Sequence, residues 1–352
     1  MKMRIDTLRG LACLLLVAFH VVGADPDHGL RVNDGALRWL NDGLAYLRMP
    51  LFIFLSGLVY GFRPFDGDSQ AFLLGKVRRL LVPMLIVGTL FALLQAFTPG
   101  TNSSVGAWYL LHILPVAHFW FVESLFWVFL LIWALERWKL TSNCKGFVLT
   151  LVLSCALYLT VRGWHCLSVD GAIYLMPSFL LGLAFSRFPL MPHLTNGWVQ
   201  LGLTAIAIGA AVAMGMPTPN PDRRTLAMLL IGMALCLLCL GSTLEVPWLA
   251  RIGRHSYAIY LWHVFFTAPI RMVLQRFDVD GNFYHLVLGV SLGLLGPVFI
   301  ERIFSKFKWP ALLLLGTNCK APKLSDVNVA KAISANSAMA MAWHNAAKKT
   351  LT

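Results

Sequence analysis

The segment from Asp6-Thr7-Leu8-Arg9-Gly10-Leu11 through His20 is apolar enough for a membrane helix, yet it carries a guanidinium near its start and an imidazole eleven residues later. Ionisable groups are costly in hydrocarbon, so each marks a functional position with a partner to be found. Eleven residues are about 16 Å of helical rise, and at roughly 100° per residue the two side chains fall within about 20° of one another on one face. This spacing predicts a cation at one membrane surface and an imidazole above it, about half a bilayer deep. A histidine there can take and return a proton near neutral pH, as a general base acting on a hydroxyl must. Asp6, one turn before Arg9, can pair with the guanidinium and lower the cost of burying it. A snorkelling anchor explains Arg9 alone, and helix packing explains His20 alone. The three residues together favour chemistry.

Other groups could contribute. Lys76-Val77-Arg78-Arg79-Leu80-Leu81-Val82-Pro83 opens an apolar run with cations, and guanidinium forks match phosphate oxygens. On composition alone, topological charge and anionic lipid head groups explain these cations better. Glu123 sits just inside another apolar run, where a carboxylate needs a partner or a proton. It could orient His20, accept its charge, or pair structurally with Arg48 or Arg162. Ser256, Tyr260 and His263 share a face at i, i+4 and i+7, although an aromatic belt with a packed histidine accounts for them equally well. Cys236 and Cys239 read as small residues on a packing face. The ten histidines lack ligand-type spacing, so no metal site is expected.

Composition fixes the elements that must position these groups. Of 352 residues 58% are hydrophobic and 13% charged, with mean hydropathy +0.70, against about 25% charged residues in a soluble domain. The fold class is therefore all-α, a polytopic membrane helix bundle. Ten apolar segments are expected: Leu8–Val22, Ala45–Gly61, Leu80–Phe97, Phe119–Leu135, Gly146–Val161, Ala172–Phe185, Val199–Met214, Leu226–Gly241, Tyr257–Met272 and Phe283–Phe304. Ala107–Val116 is too short to span. The net charge of +13 sits in the connections, and its excess on the side of both termini makes that side cytoplasmic and nucleic-acid binding unneeded. The polar connection Gly23–Leu44 then faces outward. Residues 1–308 form one membrane domain, followed by a cytoplasmic tail at 309–352 without apolar pattern, expected to be disordered or at most a weak helix.

These residues resemble acyltransferase family 3, the bacterial integral-membrane O-acyltransferases. Asp6-x-x-Arg9-Gly10 followed by His20 matches the family's R-x10-H first helix. Met49-Pro50-Leu51-Phe52-Ile53-Phe54-Leu55-Ser56-Gly57 is similar to its second helix, and Lys76-x-x-Arg79-Leu80-Leu81-Val82-Pro83 to its basic motif. Trp120-Phe121 and Gly253-x-x-Ser256-Tyr257-x-x-Tyr260-Leu261-x-His263 match later blocks. The chain departs from the family in having Lys76 where many members carry arginine. Some members also place a glutamate five residues after the tryptophan; Leu125 stands there, so Glu123 rests on its own physical argument.

The resemblance implies transfer of an acyl group, commonly acetyl, from cytoplasmic acyl-CoA to a hydroxyl of a cell-surface or exported glycan, in the bacterial inner membrane. Arg9, Lys76, Arg78 and Arg79 would hold the donor's phosphates, and His20 would act as base with Glu123 as the second catalytic candidate. Asp6, Ser56, Trp120, Tyr260 and His263 would support them, with Ser56, Tyr260 or Trp120 as oxyanion donor. Acyl-CoA is then a co-substrate, with no cofactor, and the partners are a glycan or lipid-linked saccharide and the membrane lipids. Acceptor choice would reside in Gly23–Leu44 and Asn102–Ala117. The competing class is a transporter or flippase without covalent chemistry.

Overall fold

The structure, a computed structural model, describes residues 1–98, 107–114, 116–214, 224–279 and 281–317. Every regular element among them is helical, as lipid requires, because a helix satisfies its own backbone polar groups. In order they are α1 (Lys2–Val22), α2 (Ala36–Gly43), α3 (Ala45–Tyr60), α4 (Ser69–Lys76), α5 (Val82–Phe97), α6 (Trp120–Arg137), α7 (Cys144–Thr160) and α8 (Val169–Arg187). Then follow α9 (Gly197–Ala213), α10 (Leu226–Gly241), α11 (Pro247–Gly253), α12 (Ser256–Trp262), α13 (Val264–Arg276), α14 (Asn282–Phe304) and α15 (Lys308–Leu315).

Each of the ten expected segments folds as helix. Among the described residues six stretches are long and apolar enough to cross a membrane, and the pair α12 and α13, bent by 50°, is a further candidate. The remaining three, α7, α9 and α10, are 16–17 residues long, about 25 Å of rise against about 30 Å of hydrocarbon. The chain is a multi-pass membrane protein.

Small residues set how closely these helices approach. A side chain at Gly10 of α1 would collide with the Leu249 carbonyl of α11, and one at Gly253 of α11 with the Asp6 carbonyl of α1. Gly57 and Gly182 meet α8 and α3 in the same reciprocal way, against Phe179 and Phe54. Backbone touches backbone at both crossings.

Three details differ from the sequence reading. His20 is not in the middle of its helix but in the last turn of α1, about 27 Å of rise from Lys2. The helix begins earlier than the apolar run, and Gly23, at φ 103°, ends it. The connection Gly23–Leu44 contains α2, and its buried Arg38 pairs with Asp42 and donates to the Gly23 and Ala24 carbonyls. The start of the expected tail is a helix, α15, which buries Ala311 and Leu315 and packs on α5 and α14. Residues 318–352 lie outside the described residues, as do parts of Asn102–Ala117.

Between α4 and α5 the helix loosens into a π turn over Val77–Leu81, carrying Arg78 and Arg79. Pro83 explains why. It lacks the N–H that would serve the Arg79 carbonyl four residues back. The Tyr257 hydroxyl donates to that carbonyl instead.

Candidate active site

His20 meets two other histidines. Its ring centroid is 4.7 Å from that of His263 and 5.6 Å from that of His118, and His118 and His263 are 4.8 Å apart. Each comes from a different element. His263 occupies the break between α12 and α13, where the bend turns it into the bundle. His118 lies in a 3-10 turn, Ala117–Phe119, just before α6. Ala117 holds φ 44°, an unfavourable left-handed conformation for a side-chain-bearing residue. The Tyr260 hydroxyl donates to the His118 carbonyl and ties that turn to α12. His118 and His263 are buried, and both nitrogens of His118 and Nε2 of His263 lack hydrogen-bond partners. Among the described residues no group of three or more His, Cys, Asp or Glu side chains is arranged to hold a metal ion.

The cluster borders a cavity of about 420 Å³ at the end of α1 opposite Arg9. Its walls include Phe19, Trp120, Tyr174 and Tyr260, with Arg48 and Arg224 as cations. Arg48 is buried, stacks 4.1 Å over the Phe19 ring and donates to the Asn41 carbonyl at 2.8 Å. Arg224 pairs with Asp170 at 2.7 Å. Aromatic faces beside fixed polar groups suit a ligand with both apolar and hydroxylated surface. A second, smaller cavity of about 110 Å³ lies between α1, α13 and α14, with Thr267, Arg271 and His285 in its wall. His20 alone lines both.

At the other end of α1, Arg9 is 3.7 Å from Asp6, and Arg79 and Arg254 act on this pair electrostatically. Lys76 turns elsewhere: its ammonium sits 3.6 Å over the Phe129 ring and 4.9 Å over that of Phe72. The face of α1 between Arg9 and His20 is packed, with Cys13, Leu16 and Val17 no more than 2% exposed.

The remaining candidates separate into engaged and available groups. The Ser56 hydroxyl donates to the Phe52 carbonyl in its own helix, and that of Tyr260 is committed to His118. Trp120 lines the large cavity. Glu123 is buried and accepts from the Ser168 hydroxyl at 2.5 Å; neither His20, Arg48 nor Arg162 is its partner. Ser168 and Leu167 both hold positive φ, 51° and 52°, so this carboxylate pins a strained turn at the cavity wall.

Sequence reasoning missed His118, Arg48 and Arg224. His118 stands two residues before the matched Trp120-Phe121 block, the one signal that could have flagged it. Arg48 was weighed only as a partner for Glu123, and Arg224 lies in the connection between two apolar segments.

A family model described as an acyltransferase domain matches residues 4–302, which include all three histidines and both arginine clusters. The chain belongs to acyltransferase family 3 and is an enzyme that transfers acyl groups. No curated protein and no solved structure matches it.

Proposed function

We propose that this enzyme moves an acyl group, acetyl in the simplest case, from acyl-CoA on the cytoplasmic side to a hydroxyl of a cell-surface or exported glycan. The observation that carries this reading is the position of His20, on the Arg9 face of α1 and in the wall of the large cavity at its far end. Arg9 and Arg79, with Arg78, would receive the donor's phosphates. The pantetheine arm would follow α1 to His20 once the side chains packed on that face part. A glycan would enter the large cavity, its ring faces against Trp120 and Tyr174.

In the transfer, His20 takes the proton of the acceptor hydroxyl as that oxygen attacks the thioester carbon. The tetrahedral intermediate collapses with cleavage of the carbon–sulfur bond. The departing CoA thiolate receives the proton from His20, which restores the neutral base. Positioning both substrates against one imidazole supplies much of the rate.

The test is saponification of envelope glycans from cells lacking the gene, complemented with wild type or with His20→Gln. Gene-dependent release of acetate or another short acid, absent with His20→Gln at equal membrane abundance, is expected. Equal ester content with and without the gene would remove the transferase reading of the site and favour translocation without covalent chemistry.

A further inference from the structure

The orientation of His263 assigns it a task. Its Nδ1 lies 2.9 Å from the Ile259 carbonyl oxygen and 2.9 Å from that of Tyr260. Carbonyl oxygens only accept, so Nδ1 carries the proton, and Nε2 of the neutral ring is a lone-pair acceptor. That nitrogen is buried on a fully enclosed residue and has no partner. Three donor-bearing rings lie near the His263 ring: His20 on α1 at 4.7 Å, His118 before α6 at 4.8 Å, and Tyr260 one turn back at 6.3 Å. The Tyr260 proton is already given to the His118 carbonyl. The His118 ring, 4.8 Å from that of His263, keeps both nitrogens without a partner. His20 is the nearest ring, tilted by 54°.

We infer that His263 is the positioning residue for His20. Its Nε2 accepts the N–H of one His20 nitrogen, which fixes the tautomer and aims the other nitrogen, as a lone pair, at the acceptor hydroxyl in the large cavity. A turn of the His20 ring closes the contact, as catalytic hydrogen bonds commonly tighten only when substrate is bound. When His20 takes the substrate proton, the same contact becomes charge-assisted and strengthens as the barrier is crossed. The task is that of the buried carboxylate beside a catalytic histidine, carried out here by a neutral imidazole, which adds no negative charge to the membrane interior. The inference rests on the reading of His20 as general base.

Two amides separate this task from a packing role. In His263→Asn the amide nitrogen replaces Nδ1 and keeps the bond to the helix carbonyls, but nothing replaces Nε2. In His263→Gln the amide oxygen reaches the Nε2 position. Membrane vesicles from cells lacking the gene and carrying each variant are given radiolabelled acetyl-CoA, and label in saponifiable envelope material is followed against acetyl-CoA concentration. We expect His263→Asn to lower kcat by about 10²-fold or more with KM for acetyl-CoA nearly unchanged, and His263→Gln to recover most of that loss. Asn as active as wild type, or Gln no better than Asn at equal abundance, overturns the inference. Full activity of His263→Asn beside an inactive His20→Gln removes only the positioning role. Full activity of His20→Gln removes the general-base reading and this inference with it.

Discussion

The Tyr257 hydroxyl on α12 donates to the backbone carbonyl of Arg79, the carbonyl that Pro83 leaves without its helical donor. A proline in one segment is thus complemented by a tyrosine far along the chain, and the bond holds the turn carrying Arg78 and Arg79 against α12. Tyr257→Phe should therefore lower thermal stability in detergent by about 0.5–1.5 kcal/mol, the usual net worth of one hydrogen bond. It should also weaken acyl-CoA binding. Adding Pro83→Ala supplies the missing N–H, so the double variant should regain much of the loss. A purely additive pair would refute the account.

Lys76 and Arg9 should part company. Both suited a phosphate site in sequence, but the Lys76 ammonium rests on the Phe129 face whereas Arg9 stands beside Asp6. Lys76→Met should cost up to about 2 kcal/mol of stability from the lost cation–π contact. The thermal shift produced by CoA should persist in that variant. Arg9→Gln should instead abolish most of the CoA-dependent shift.

Glu123 acts on the turn at the cavity wall. Removing its carboxylate in Glu123→Ala leaves the Ser168 hydroxyl unpaired beside two residues at positive φ. Unfolding in detergent should shift by about 2–3 kcal/mol. Acyl transfer per folded molecule should fall through a higher KM for the acceptor rather than a lower kcat. A kcat loss as large as that of His20→Gln would place Glu123 in the chemistry.

The glycine crossings are the most sensitive packing sites. In Gly253→Ala the new methyl meets the Asp6 carbonyl, and helix backbones yield little. A loss of about 1–3 kcal/mol is expected, read as reduced monodisperse protein after detergent extraction. The same change at Gly75, which has open space beside it, should be neutral.

How much of this could be read from the chain follows from what each pattern encodes. Arg9 and His20 were legible because one helix carries both, and helical rise and rotation are fixed. The helical membrane bundle was legible because hydrocarbon permits few alternatives. The place of His20 along its helix was misjudged because hydropathy marks where apolar residues stop, whereas Lys2 and Gly23 mark where the helix begins and ends. The histidine cluster was out of reach, since it forms only where α1, the turn before α6 and the α12–α13 break converge. The direction of Lys76 was equally hidden. A cation beside arginines looks like part of a phosphate site until the rings of Phe72 and Phe129 are seen around it.

The place of His20 between the two cavities bears on how its loss is to be interpreted. A small residue there would delete a partition as well as the proposed base, merging chambers of about 420 and 110 Å³ into one. Water from either chamber would then reach the thioester, and the enzyme would leak donor by hydrolysis instead of merely stopping. Free CoA appearing without esterified product is the signature of that breach. For this reason glutamine, which keeps the wall standing, isolates the proposed base at position 20, whereas alanine tests containment and chemistry together.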